Sequence, residues 1–70
     1  MNPHFFKFHD LLADKDVIIN VAFITSVREL KQPCKYGSEI EYIGNAGYVT
    51  ARIYVKETIN DVFEMINRLP

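Results

Sequence analysis

Residues 48–55 show the clearest alternation of apolar and polar positions in the chain, and this pattern indicates a half-buried β-strand. One face carries aliphatic side chains, and the other carries tyrosine, threonine and arginine. A period of two with β-branched and aromatic residues is typical of a strand that packs one face on a core. The inward positions are Val49, Ala51, Ile53 and Val55, and the outward positions are Tyr48, Thr50, Arg52 and Tyr54.

Residues 39–43 precede this strand and are predicted to pair with it as an antiparallel hairpin. Two registers are open. A three-residue loop over 45–47 would turn the carboxylates of Glu39 and Glu41 into the core, where an unpaired charge costs several kcal/mol. A four-residue loop over 44–47 keeps both outside, and we predict this register. Its cross-strand pairs are Ile40–Ala51, Tyr42–Val49, Ile43–Tyr48 and Glu39–Arg52.

A capped amphipathic helix is predicted to follow the strand. Thr58 is a natural N-cap whose hydroxyl can accept the amide of Asp61, and Asp61 adds the negative charge that the helix dipole favours in the first turn. A helix of about twelve residues is marginal alone in water, so its apolar stripe must pack on the sheet. The stripe is Ile59, Val62, Phe63, Ile66 and Leu69. We expect Phe63 and Ile66 to lie at its centre.

The first half of the chain is predicted to supply three more strands, at 5–9, 16–20 and 24–30. With 49% apolar residues among 70, roughly 60% of the unfolded chain's surface can be buried, enough for one thin core. The predicted fold is therefore α+β, a single small domain over residues 1–70. It consists of a five-stranded antiparallel meander sheet, in the order β-β-β-β-β-α, with the C-terminal amphipathic helix packed on one face.

Two segments resemble the small bacterial FlbD-like proteins: residues 20–29, NVAFITSVRE, and residues 55–62, VKETINDV. That family shows an Asn shortly before a pair of aliphatics, then a hairpin, then a Val-Lys-Glu-Ser/Thr step into an amphipathic helix. The resemblance covers residues 17–69, and the chain departs from it at residues 8–12, FHDLL, where the family has a Thr-x-Leu-Asn-Gly turn. It implies the same fold and no catalytic residue, since the family's role is poorly defined.

Charge and apolar content exclude several classes of partner. The net charge is −1 and the basic residues are scattered, so no footprint for duplex nucleic acid or an anionic membrane is visible. The longest apolar run, residues 21–24, is far too short for a membrane span. The N-terminal residues lack the apolar core of a signal peptide, and the single cysteine fits a reducing compartment. We expect a cytoplasmic protein.

Histidines and aspartates near the N-terminus are candidate metal ligands. His4 and His9, with Asp10, could ligate a metal, but histidines five apart on a strand point to opposite faces, and exposed histidines are the favoured interpretation. Asp10, Asp14 and Asp16 lack the spacing and the closing Glu of a calcium loop, so turn residues explain them better. We predict no metal site.

Catalysis finds little support in the sequence. Cys34 could be a nucleophile, because Lys31 and Lys35 could lower its thiol pKa, but no third group is positioned to act with it. The chain has no Gly-rich phosphate loop, no H-E-x-x-H and no G-x-S-x-G. We therefore predict neither an enzyme nor a cofactor.

The outward face of the hairpin is the candidate binding surface. Tyrosine and arginine are enriched at protein interfaces, and tyrosines also stack on single-stranded nucleic acid. An ordinary solvated sheet face is the third interpretation, because strands favour Tyr and Thr anyway. The residues concerned are Ile43, Tyr48, Thr50, Arg52 and Tyr54.

The leading hypothesis is a small non-enzymatic protein-interaction module that uses this outer face or an exposed sheet edge. Its partner would be a second copy, in a homodimer or larger assembly, or another protein. The alternative is a nucleic-acid-binding accessory protein, which the near-neutral charge disfavours.

Overall fold

The computed structural model describes residues 4–31, 35–44 and 49–69. The predicted α+β class and the element order are confirmed, and the strands agree with the sequence pattern to within about two residues. The elements are β1 (Phe5–Asp10), β2 (Lys15–Asn20), a 3-10 turn (Val21–Phe23), β3 (Ile24–Glu29), β4 (Ser38–Ile43), β5 (Thr50–Val55) and α1 (Ile59–Asn67).

The strands form two antiparallel sheets, so the predicted single five-stranded meander is wrong. β1 and β2 make a two-stranded N-terminal sheet, and β3, β4 and β5 make a three-stranded C-terminal sheet in that order. The break falls at the 3-10 turn, where the side chain of Asn20 accepts the amide of Ala22 at 3.0 Å. This turn redirects the chain, and β3 therefore pairs with β4 and not with β2.

Asp10 joins the two sheets at the end of β1. The Leu11 amide donates to the Tyr54 carbonyl at 2.7 Å, as a continuing strand would. The Tyr54 amide instead donates to the Asp10 carboxylate at 3.2 Å, and the same oxygen accepts the Leu12 amide at 3.1 Å. A side chain therefore takes the place of a strand residue, and pairing between β1 and β5 stops after one residue. Asp10 is buried.

The β4–β5 register differs from the predicted one by two residues. Ile40 lies opposite Ile53, Tyr42 opposite Ala51, Ile43 opposite Thr50 and Glu41 opposite Arg52. The ladder continues to Gly44, whose amide donates to the Val49 carbonyl at 2.7 Å. A shift of two preserves which residues share a face. The predicted facing is therefore confirmed, whereas the predicted pairs Glu39–Arg52, Ile43–Tyr48, Tyr42–Val49 and Ile40–Ala51 are wrong.

The core lies between the sheets and the helix. Its fully buried apolar residues are Phe8, Ile19, Ile40, Ile53, Val55 and Val62. α1 has the predicted capping box: the Thr58 hydroxyl accepts the Asp61 amide at 3.1 Å, and the Asp61 carboxylate accepts the Thr58 amide at 3.1 Å.

The helix stripe is centred on Val62, which is 0% exposed, and Ile66 and Met65 pack beside it. The predicted central place of Phe63 is wrong, because its side chain is 65% exposed. At 3.6 residues per turn, the position after Val62 points roughly 100° away from it. The apolar spacing includes both residues, but the sheet contacts only one of them.

Gly37 permits a close approach of two backbone segments. Its amide donates to the Val55 carbonyl at 2.8 Å, and the buried Ser38 hydroxyl donates to the Glu57 carbonyl at 2.7 Å. A Cβ on Gly37 would lie 2.5 Å from the Glu57 carbonyl oxygen, too close for any side chain. The segment after β5 is thereby held against the start of β4.

Candidate functional site

The outer face of the C-terminal sheet carries a network of ion pairs. Arg28 donates from Nη2 to the Glu39 carboxylate at 2.6 Å, and from Nε to the same oxygen at 3.1 Å. The Glu39 side chain is only 8% exposed. The bonded Arg28 guanidinium, and then the Tyr54 hydroxyl, hold the pKa of Glu39 below its ordinary value. The Tyr54 ring also lies 5.5 Å from that of Tyr36.

The positive charge of Arg52 is also balanced by carboxylates. Its Nη2 lies 2.9 Å from the Glu41 carboxylate, and its Nε lies 3.9 Å from that of Glu39. The structure thus brings Thr50, Arg52 and Tyr54 together on one face, as predicted, with Ile43 opposite Thr50. The fifth residue of the predicted binding surface, Tyr48, lies outside the described residues. Both arginines of this face already have carboxylate partners, so the face offers little uncompensated positive charge.

A more apolar surface lies between the two sheets, and we call it the apolar groove. It is an open depression of about 950 Å³ bounded by β2 on one side and by the end of the β4–β5 hairpin on the other. Four of the seven large hydrophobic side chains that are exposed among the described residues line it: Phe5, Ile18, Phe23 and Val49. These four are the rim residues. The rest of the lining is Ile19, Asn20, Tyr42, Ile43, Gly44 and Ala51.

The outer edge of β2 faces this groove. Among the described residues, β2 pairs with β1 alone. The Val21 amide donates to the His4 carbonyl at 2.9 Å, which fixes the alternation of the ladder. In an antiparallel pair, every second residue points its N–H and C=O away from the partner. For β2 these residues are Asp16, Ile18 and Asn20. Their backbone groups form a row of hydrogen-bonding sites along this edge, and two of the three residues, Ile18 and Asn20, also line the groove.

Ile18 has both an exposed apolar side chain and a backbone on the outer edge of β2. Its backbone lies on the outer edge of β2, and its side chain is 67% exposed on the face of the N-terminal sheet that is turned from the core. An exposed aliphatic side chain on a free edge is what another strand needs for both hydrogen bonds and apolar contact.

The histidine and aspartates near the N-terminus form a polar cluster at the β1–β2 turn. His9 lies opposite Asp16 in the ladder, with Nδ1 2.8 Å from the Asp16 carboxylate and Nε2 3.1 Å from that of Asp14. These two hydrogen bonds raise the pKa of His9, and the bond with His9 lowers the pKa of Asp16. Asp14 adopts a positive φ of 54° in the turn.

The side chains of His9, Asp14 and Asp16 in this cluster are hydrogen-bonded to one another. Within residues 4–31, 35–44 and 49–69, no group of three His, Cys, Asp or Glu side chains is arranged to hold a metal ion. The candidate nucleophile Cys34 lies outside the described residues.

Sequence reasoning missed the groove because its rim comes from four separate segments. One signal was available. Residues 17–19 are apolar at three successive positions, so the strand carries apolar side chains on both faces, and that of Ile18 lies on the face opposite to Val17 and Ile19. The His9–Asp16 pair was also predictable once the β1–β2 register was fixed.

No family model, curated protein or solved structure matches this chain. No helix in the described part of the chain is long and apolar enough to cross a membrane.

Proposed function

We propose that this chain is a small non-enzymatic protein-interaction module that self-associates through a sheet edge and the apolar groove beside it. The observation that carries the proposal is the coincidence of two features along β2: an unpaired backbone edge among the described residues, and a rim of exposed hydrophobic side chains. Exposed apolar patches with a polar border mark interaction sites, and free edges are templates for pairing with another chain.

Between the two surfaces considered from the sequence, the geometry favours the edge over the outer face. The outer face is occupied by its own ion pairs, Arg28–Glu39 and Arg52–Glu41, so its charged groups already have partners within the chain. Ile43 belongs to both surfaces, because it also lines the groove. The nucleic-acid alternative is weakened for the same reason: the arginines that would contact phosphates are neutralised by carboxylates.

Two further expectations belong to this proposal. A cytoplasmic location rests on the single cysteine of the sequence. The resemblance to FlbD-like proteins stays a prediction, and no step of the proposal depends on it.

Sedimentation equilibrium of the whole chain tests the proposal, at about 1 to 100 µM, a range that brackets weak standard-size interfaces. We expect the mass to rise with concentration from 8.1 kDa towards a multiple of it. Phe23→Lys, on the rim, should weaken association. Phe63→Lys, at an exposed position on the helix, should not, because Phe63 is not part of the groove lining. A monomer over the whole range, or equal effects of the two variants, would refute the proposal.

A further inference from the structure

We infer that the occupant of the apolar groove is a second copy of the chain, with the two β2 strands paired antiparallel about a two-fold axis through Ile18. This inference rests on the proposed function and adds to it the partner segment, the symmetry and the register. The resulting sheet would run β1–β2–β2–β1 across the two copies.

The hydrogen-bonding pattern of β2 selects the register. A two-fold axis perpendicular to the sheet keeps the two outer faces on the same side, so Ile18 lies opposite Ile18 of the second copy, and Asp16 opposite Asn20. These three are the residues whose N–H and C=O point away from β1. In this register all their outward groups find partners. Shifting the axis to Val17 or Ile19 leaves the outward groups of Asn20 or Asp16, respectively, without a partner in the opposite β2.

The side chains of β2 also favour the register with the axis through Ile18. The two Ile18 side chains meet on the outer face, where each is 67% exposed in the monomer. Directly opposed like charges destabilise a pair of strands. Here Asp16 faces an uncharged Asn20, and Lys15, at the far end of the strand, faces the residue that follows Asn20. An axis at Asp16 would instead oppose the two carboxylates.

The area also suits a dimer. A standard interface buries about 800 Å² per partner, roughly 15% of the 5284 Å² surface of this chain. The rim residues are each about half to two thirds exposed, and at about 150–200 Å² per large side chain they can supply about 400 Å² of it. The backbone and the other side chains of β2 lie directly beside them and can supply the remainder.

Disulfide trapping tests the register directly. In a Cys34→Ser background, Ile18→Cys places two thiols on the axis, where antiparallel Cα atoms lie about 5.5 Å apart, within disulfide range. Mild oxidation should convert most of this variant to a covalent dimer. Leu12→Cys in the same background is the matched control, since Leu12 is 66% exposed but lies in the β1–β2 turn. At about 3.3 Å per residue, two Leu12 residues would be at least about 20 Å apart.

Ile18→Pro tests the edge hydrogen bonds separately. Because the Ile18 amide points away from β1, proline removes no bond of the β1–β2 ladder, and edge positions of this kind tolerate it. We expect a folded monomer by circular dichroism and sedimentation, with at least a tenfold weaker association. If the proline variant does not fold, the cysteine variant still decides the register.

The outcomes separate the two proposals. A wild-type dimer that does not cross-link at position 18, or that persists unchanged in folded Ile18→Pro, overturns the β2–β2 register and leaves self-association standing. A wild-type chain that stays monomeric overturns both. Equal cross-linking of Ile18→Cys and Leu12→Cys indicates random collision and also overturns the register.

Discussion

Truncating Val62 to alanine should destabilise the protein far more than truncating its neighbour Phe63. Val62 is 0% exposed and packs in the core, whereas Phe63 is 65% exposed on the outer side of the same helix. Val62→Ala removes two methylene-sized groups, worth about 1.6 kcal/mol at about 0.8 kcal/mol each. The cavity left behind adds about 1 kcal/mol, for a total of about 2–3 kcal/mol. A chain of this length has only about 3.5–10 kcal/mol of stability in all.

Phe63→Ala should change the free energy of unfolding by less than about 1 kcal/mol. Most of the Phe63 ring is already in water, and alanine has the higher helix propensity by a few tenths of a kcal/mol. The larger residue is therefore predicted to be the less important one.

Urea unfolding followed by far-UV circular dichroism distinguishes the two variants. With a slope of about 1 kcal/mol/M, Val62→Ala should lower the midpoint by about 2 M or more, while Phe63→Ala should leave it near that of the wild type. In thermal unfolding the Val62 variant should melt roughly 10–20 °C lower. Wild-type stability of Val62→Ala would refute the docking of α1 through Val62. An equal loss in Phe63→Ala would place Phe63 back at the centre of the stripe.

His9 should titrate above 6.5 in the folded chain, measured by NMR, and Asp16→Asn should lower its pKa more than Asp14→Asn, because the Asp16 hydrogen bond is the larger cause. Because its pKa is raised, His9 contributes its full stabilisation of the folded chain below pH 6.5, and this contribution is lost as the pH rises through the pKa of the folded state. Because its pKa is lowered, Asp16 contributes stabilisation above pH 3.8, and this contribution is lost as the pH falls through the pKa of Asp16 in the folded state. An unshifted His9 would contradict the pairing. Gly37→Ala should cost about 1–3 kcal/mol or more by urea unfolding, and Gly44→Ala less, because its added Cβ would be 3.3 Å from the nearest atom; equal costs would contradict the close approach at Gly37.

Local features of the fold could be predicted from the sequence, because they depend on neighbouring residues. The Thr58 cap and the face of each residue in β4 and β5 follow from residue type and spacing, and the structure confirms them. The β4–β5 register did not follow, since a shift of two residues leaves every facing unchanged. The choice between such registers depends on contacts at both ends of the hairpin, here the Gly44–Val49 bond and the buried Ser38.

The division into two sheets depends on the 3-10 turn between β2 and β3 and on Asp10 between β1 and β5, and no periodicity reveals the part that Asp10 plays. Apolar alternation shows that a segment is a strand but not which strand lies beside it. Here a carboxylate takes the hydrogen bond that a backbone carbonyl would otherwise accept. The apolar groove could not be predicted either, because periodicity does not show which segments lie side by side. The exposure of Ile18 was visible in the run of residues 17–19, but its place beside Phe5, Phe23 and Val49 depends on how the sheets are joined.

The Asp10–Tyr54 bond also bears on the order in which the chain folds. Each hairpin pairs residues close in sequence, and loops of this length close within microseconds. The Asp10 carboxylate and the Tyr54 amide are 44 residues apart, so their meeting carries a larger loop-closure entropy. The hairpins can form before this contact, which joins the two sheets together with the Leu11–Tyr54 bond and the shared core. The slowest step of folding is therefore expected to be the joining of the two sheets, with the three hairpins already formed.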